Sequence, residues 1–139
     1  MVHALRRAGQ RLQPGGSLIS IRPHETSLPL VSIITPSRRI PVARLTTPGF
    51  VTRQSAADAA LERVVAEGRF ALMGMRNHRY RARLDNPSQL RTYLELISPP
   101  RPRFPPGRRA HLLELWRSRP RGSKIEIAEW IVVTALLRR

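Results

Sequence analysis

Residues 4–21 read ALRRAGQRLQPGGSLISI, and this stretch decides the fold. Its beginning predicts a helix over Val2 to Leu12, because apolar residues recur there at spacings of three and four. Pro14-Gly15-Gly16 ends that helix, since proline disfavours helical backbone at the residue before it and glycine permits a positive φ. Ser17 to Ile21 contains β-branched residues and predicts a strand. A helix, a glycine turn and a strand in this order indicate an α/β fold.

Three later segments extend this core. Ser55 to Glu67 predicts a helix, in which Ser55 and Asp58 form an approximate capping box. Phe70 to Leu84 alternates between apolar residues and arginines and predicts a half-buried strand. Lys124 to Leu137 predicts a final strand, whose long apolar run is typical of a strand covered on both faces inside a sheet.

Two insertions interrupt this order. Leu30 to Ile34 and Ile40 to Leu45 flank a proline turn and predict a β-hairpin, which we expect to be a surface addition with Pro41 on an edge strand. Pro87 opens a helix that faces inward through Leu90, Leu94 and Ile97. A proline-rich connector over residues 98–107 then leads to a last helix over Arg108 to Arg117, with Leu112, Leu113 and Trp116 on its buried side.

The composition sets bounds on the class of protein. The chain has 139 residues, enough for one domain, and carries a formal net charge of +16. All but one of its 25 basic residues other than histidine are arginines, and they are spread along the whole chain. Such a charge attracts polyanions, so we expect nonspecific binding to nucleic acid at low salt. With no cysteine, the chain has neither a disulfide framework nor a thiolate metal site.

The sequence shows neither a secretion signal nor a catalytic motif. The first ten residues lack an apolar signal core, and no apolar run approaches the length of a membrane span, so we expect a cytoplasmic protein that does not cross a membrane. The four histidines lie in four different elements without ligand spacing, which argues against a metal site. Nothing indicates a nucleophile with its base or a pair of catalytic carboxylates. The catalytic residues therefore stay unknown.

Residues 4–21 also carry a resemblance to a known family. The pattern Leu12-Gln13-Pro14-Gly15-Gly16-Ser17-Leu18 resembles the segment of class I S-adenosylmethionine-dependent methyltransferases that leads into the fifth strand of their seven-stranded sheet. In that family a helix, a sixth strand and a seventh strand follow, and the seventh is inserted antiparallel between the fifth and the sixth. Residues 55–67, 70–84 and 124–137 follow the same order. The resemblance implies an α/β fold with the last three strands of a Rossmann-like sheet, the final strand antiparallel and central, and flanking helices.

The resemblance covers the whole chain but only the carboxyl-terminal half of the family's domain. The glycine-rich cofactor loop of the family, and the acidic residue that holds the ribose, have no counterpart here. The resemblance therefore implies a partial methyltransferase that binds no cofactor by itself, and S-adenosylmethionine only if the other half is supplied upstream or by another chain. A start site placed too late, a truncated gene and a diverged remnant are three explanations that the sequence leaves open.

Arg22 and His24 are the only candidates for a substrate site. They lie just past the carboxyl end of the first strand, where open α/β sheets place their ligands. A solvated loop is the alternative interpretation of both residues.

A different class of function is a small arginine-rich protein that binds nucleic acid without catalysis. Arg79, Arg81 and Arg83 are its best local feature, although Tyr80 falls on the opposite face of their strand. The half-domain interpretation predicts in addition that Leu18 to Ile21 forms an unpaired sheet edge beside uncovered apolar surface. We therefore expect the isolated chain to aggregate or to form a homodimer.

Overall fold

The mixed α/β architecture is confirmed by a computed structural model, which describes residues 1–98 and 100–139. Within these residues the chain forms four helices and five strands, and the order of the predicted elements is retained. The elements are α1 (Val2–Arg11), β1 (Ser17–Pro23), β2 (Leu30–Ile34), β3 (Arg39–Arg44), α2 (Phe50–Ala66), β4 (Phe70–Leu84), α3 (Pro87–Leu96), α4 (Arg108–Arg117) and β5 (Lys124–Arg138).

The strands form an open antiparallel sheet in which β5 is central. The carboxyl-terminal part of β5 pairs with β1, from Ser17 opposite Leu137 to Pro23 opposite Ile131. Its amino-terminal part pairs with β2, and β2 pairs with β3. Strand β4 also pairs with β5, so that β5 has three partners in the sheet, β1, β2 and β4.

The chain divides into two compact units, and β4 and β5 contribute to both. The first unit comprises residues 1–26, 49–78 and 130–139, and so contains α1, β1 and α2. The second unit comprises residues 27–48 and 79–129. It therefore contains the hairpin β2–β3 together with α3 and α4, which are the two insertions recognised in the sequence.

The core of the first unit lies between the two helices and one face of the sheet. Leu5 of α1, Val64 of α2 and Leu136 of β5 are buried there around the fully buried Phe70. Helix α1 approaches this ring closely, since a Cβ atom on Gly9 would lie 3.1 Å from Phe70 Cζ. A larger residue at that position would push α1 away from the core.

The opposite face of the same unit is open. Burial alternates along β1, and Ile19 and Ile21 are 56% and 65% exposed. Their cross-strand neighbours on β5, Ala135 and Val133, are only half-buried. The prediction that this apolar part of β5 is covered on both faces is therefore wrong: one face packs on helices, whereas the other retains its apolar residues in contact with solvent.

The second unit has its own hydrophobic core. Val31 and Ile33 of the hairpin are buried there with Leu90 of α3 and Leu112 of α4. The hairpin is thus not the surface addition that the sequence suggested, because alternate residues of β2 supply the centre of a core. Pro41 does lie on the edge strand β3, as predicted.

Helix α2 and strand β4 differ from their predictions. Helix α2 begins at Phe50 after Gly49, whose φ of 63° only glycine adopts readily, so the capping box of Ser55 and Asp58 is wrong. Strand β4 is exposed on both faces along most of its length, including Leu72 at 55%. An alternating sequence predicts one buried face, but this strand pairs with β5 at the sheet edge and finds little to pack against.

The two insertion helices follow their predictions more closely. Asn86 caps α3 by accepting a hydrogen bond from the Gln89 backbone amide at 2.9 Å, with Pro87 in the first turn. In α4, Leu112 and Trp116 are buried, whereas Leu113 is 37% exposed and does not belong to the buried side.

The half-buried carboxyl of Glu129 in the second unit makes the stability of the protein depend on pH. Burial raises the pKa of Glu129 above its ordinary value. The stability that this group contributes is present below its ordinary pKa and is lost as the pH rises through the raised one. We expect Glu129→Gln to raise the free energy of unfolding at about pH 7 and to lose that advantage near pH 4. Denaturant unfolding of both proteins at the two pH values tests this, and an equal effect at both would contradict it.

Candidate functional site

The predicted substrate residues line one cavity of the first unit. It has a volume of about 580 Å³ and lies beside the carboxyl end of β1, against α2 and β5. Arg22 and His24 both line it, which brings together the two residues that the sequence singled out. Asp58, Glu62, Asn77 and Thr134 contribute further polar groups, and Leu72, Val132 and Leu136 contribute apolar ones.

Arg22 is held by two partners inside this cavity. Its side chain is only 11% exposed. Nε donates a hydrogen bond to Asp58 Oδ1 at 2.8 Å, Nη2 pairs with the same carboxylate, and Nη1 donates to Thr134 Oγ1 at 2.9 Å. A guanidinium that is satisfied in this way does not act as a free receptor for an anion. Instead, the Arg22 side chain links β1 to α2 and holds this wall of the cavity in place.

His24 keeps one ring nitrogen for a ligand. Its Nδ1 accepts a hydrogen bond from the Thr26 backbone amide at 3.3 Å and lies 3.1 Å from Thr26 Oγ1. Its own backbone amide donates to the Trp130 carbonyl at 2.8 Å, which anchors the residue to β5. When Nδ1 is the acceptor, the neutral ring carries its proton on Nε2, so Nε2–H is available as a donor.

The cavity is locally acidic on a strongly basic protein. Asp58 is paired with Arg22, and Glu25 and Glu62 add two further carboxylates to the lining. The whole chain has only nine acidic residues. Carboxylates repel phosphate, so the cavity is suited to a neutral or cationic polar ligand with an apolar part.

Asp58 and Thr134, which hold Arg22 in this cavity, were not among the site residues predicted from the sequence. Asp58 was interpreted as part of a capping box, and Thr134 was included in the long apolar run of the last strand without a role of its own. One signal was present: a threonine inside a strand of aliphatic residues, on the strand next to Arg22, offers the one side-chain acceptor in that run. The pairing of Ser20 with Thr134, two residues along β1 from Arg22, depends on the register of β1 against β5, which the sequence does not reveal.

The arginine strand lies elsewhere in the fold. Arg83 Nε is 3.6 Å from the buried Glu126 carboxylate, and burial together with the neighbouring Tyr80 hydroxyl raises the pKa of Tyr93. Arg79 and Arg81 are exposed. Two of the four groups that the nucleic-acid interpretation invoked are thus engaged within the second unit, and this interpretation stays a prediction.

Comparison with models of known families, with curated proteins and with solved structures finds no match to this chain. Across residues 1–98 and 100–139, no three histidine, aspartate or glutamate side chains cluster in a way that could hold a metal ion. None of the helices in that part of the chain combines the length and apolar character that a membrane crossing needs.

Removing the partner of Arg22 gives a testable effect on stability. We expect Asp58→Ala to lower the free energy of unfolding by about 1–3 kcal/mol, because the part-buried guanidinium of Arg22 loses a charged acceptor. Glu62→Ala, on the same helix and the same cavity but exposed, should change it by less than about 0.5 kcal/mol. Urea unfolding measures both, and equal effects would contradict the role assigned to Asp58.

Proposed function

We propose that this chain is the carboxyl-terminal, substrate-side half of a class I S-adenosylmethionine-dependent methyltransferase domain. The methyl donor would bind to a complementing half, supplied upstream in the same polypeptide or by another chain. The 139 residues by themselves would then neither bind S-adenosylmethionine nor transfer a methyl group.

The position of β5 carries this proposal. The resemblance requires the last strand to lie antiparallel between the strand after the glycine turn and the strand after the following helix. Strand β5 pairs with both β1 and β4, and it runs antiparallel to β1. Most strands that follow each other in the sequence are neighbours in the sheet. A pairing of the last strand with the first is therefore uncommon, and it gives the resemblance more weight than a sequential order would.

The open face of the first unit is a second, independent support. In a doubly wound α/β fold both faces of the sheet are covered. Here α1 and α2 cover the face of Leu18 and Leu136, while Ile19 and Ile21 stay exposed on the other. Strand β1 is also a sheet edge. A complementing half that extends the sheet at β1 and covers this face would satisfy both features.

The cavity of Arg22 and His24 would form the substrate side of the active site. It lies at the carboxyl end of β1, where open α/β sheets bind their ligands. In this arrangement His24 donates from Nε2 to the substrate, and the Arg22–Asp58 pair positions the wall. The acidic lining favours a neutral or cationic substrate.

A photo-crosslink at the open face tests the proposal in the cells that make the protein. A photoreactive phenylalanine replaces Ile21, and the matched control carries it at Val51, which is 62% exposed on α2. We expect Ile21 to crosslink to a segment that contains a strand followed by a glycine-rich loop, and the product to bind radiolabelled S-adenosylmethionine. The Val51 variant should give no such product.

Two results would overturn the proposal. One is a crosslink from Ile21 only to further copies of the 139-residue chain. The other is a crosslinked product that shows no affinity for S-adenosylmethionine.

A further inference from the structure

The second unit contains a larger cavity that the proposed function does not use. It has a volume of about 780 Å³ and is lined by α3, by the proline-rich segment that follows it, and by the start of α4. This volume lies in the range of sites that hold small organic molecules.

The floor of this cavity is apolar and belongs to a packed core. Leu90 and Leu112 line it and are 2% and 1% exposed. Leu94 and Phe104 line it as well and pack against the same core. A ligand on this floor would bury its apolar body against side chains that are already fixed.

The proline-rich wall of the cavity, residues 100–107, is held by hydrogen bonds at two points. Thr46 and Arg103 exchange two backbone hydrogen bonds of 2.9 and 2.8 Å. The Arg101 Nε donates to the carbonyl oxygens of Glu95 and Ile97 at 3.0 and 3.2 Å. Prolines have fixed φ angles, so the wall is preformed and a ligand loses little free energy in ordering it. Prolines also lack amide donors, so the wall offers a ligand few hydrogen bonds of its own.

Arginines supply the polar part of the lining. Arg91, Arg101, Arg103 and Arg109 line the cavity against one acidic residue, Glu95. Glu95 lies 3.9 Å from Arg91. Among residues 1–98 and 100–139, no carboxylate lies within ion-pair distance of Arg103 or Arg109. Two guanidinium groups are therefore free to bind an anion at the margin of an apolar floor.

We propose that this cavity binds an apolar anion, a carboxylate carried on an acyl chain, with the chain on the leucine floor and the head group at Arg103 and Arg109. The chemistry differs from that of the acidic cavity in the first unit. This inference does not depend on the methyltransferase proposal.

The test is a titration of the ¹⁵N-labelled protein with decanoate, followed by amide NMR. We expect saturable shifts confined to residues 87–95 and 101–113. In a series from acetate to decanoate, affinity should rise about fourfold for each added methylene that reaches the floor. Decyltrimethylammonium, which has the same chain with a cationic head, should not bind there.

Paired variants separate the site from the net charge of the protein. Arg103→Gln with Arg109→Gln should weaken decanoate binding at least about tenfold. The control, Arg117→Gln with Arg121→Gln, removes the same charge from exposed residues outside the cavity lining and should leave the affinity unchanged. The amide spectrum of each variant reports whether it is folded.

Equal weakening by both pairs, equal affinity for acetate and decanoate, or equal binding of the cationic analogue would overturn the proposal. The chain-length series uses the unmodified protein, so it decides the question even if a variant fails to fold.

Discussion

Replacing Ile19 and Ile21 together by lysine is expected to convert the isolated chain from a self-associating protein into a monomer. Both side chains are more than half exposed on an apolar sheet face beside the edge strand β1. A strand edge without a pairing partner, next to exposed apolar surface, favours association with another copy of the chain when the complementing half is absent. Two lysines place positive charge on that face and repel a second, already basic chain.

Light scattering coupled to size-exclusion chromatography measures this effect. The unmodified chain should elute as a dimer or larger species, at twice 15.8 kDa or more, and the double variant near 15.8 kDa. The matched control is Val51→Lys with Leu96→Lys, which adds the same charge at helix positions 62% and 80% exposed. A control that also becomes monomeric, or an unmodified chain that is a stable monomer with cooperative unfolding, would contradict the account.

Arg39→Ala is expected to cause a large loss of stability in the second unit. Glu126 is fully buried, and its Oε1 pairs with Arg39 Nη1. Its Oε2 has no hydrogen-bond partner, and Arg83 Nε lies 3.6 Å away. Removing Arg39 leaves a buried carboxylate with only that longer contact, so we expect the free energy of unfolding to fall by about 3 kcal/mol.

A double-mutant cycle separates the lost ion pair from lost packing. Arg39→Ala in a Glu126→Gln background should cost less than about 1 kcal/mol, because no buried charge remains to be compensated. Arg83→Ala should also cost less than about 1 kcal/mol, since its side chain is 66% exposed. Denaturant unfolding of the four proteins gives the coupling, and equal costs of Arg39→Ala in both backgrounds would show that Glu126 is not the cause.

The elements of this fold could be predicted because their signals are local. The glycine turn at residues 14–16, the Asn86 cap and the proline at position 87 each act within a few residues, and the helices and strands near them lie where the sequence placed them. An interior position of β5 was expected from its apolar run and from the family resemblance, whereas its pairing with β2 of the hairpin was expected from neither.

Burial was predicted less well, because it depends on what covers each face. The apolar run of β5 indicated two covered faces, yet one of them is open in the first unit. The shorter segment Ile125 to Ala128 contains the acidic Glu126 and is nevertheless buried throughout. Arg39 of β3 and Arg83 of β4 compensate the buried charge of Glu126, and both are far from it in the sequence.

The cavity of Arg22 and His24 could be predicted only in part, because only some of its residues are placed by local rules. Its two residues follow a strand end, which is a local rule. Asp58 and Thr134 meet Arg22 only through the register of β1 against β5 and the packing of α2, and both are long-range properties of the fold.

Calorimetric titration with S-adenosylmethionine is the most direct test of the half-domain account. It compares the isolated 139 residues with the assembly that is purified from native cells through a tag at Arg139. The account predicts no heat of binding for the isolated chain and one donor bound per chain in the assembly. Binding by the isolated chain, or an assembly that binds none, would contradict it.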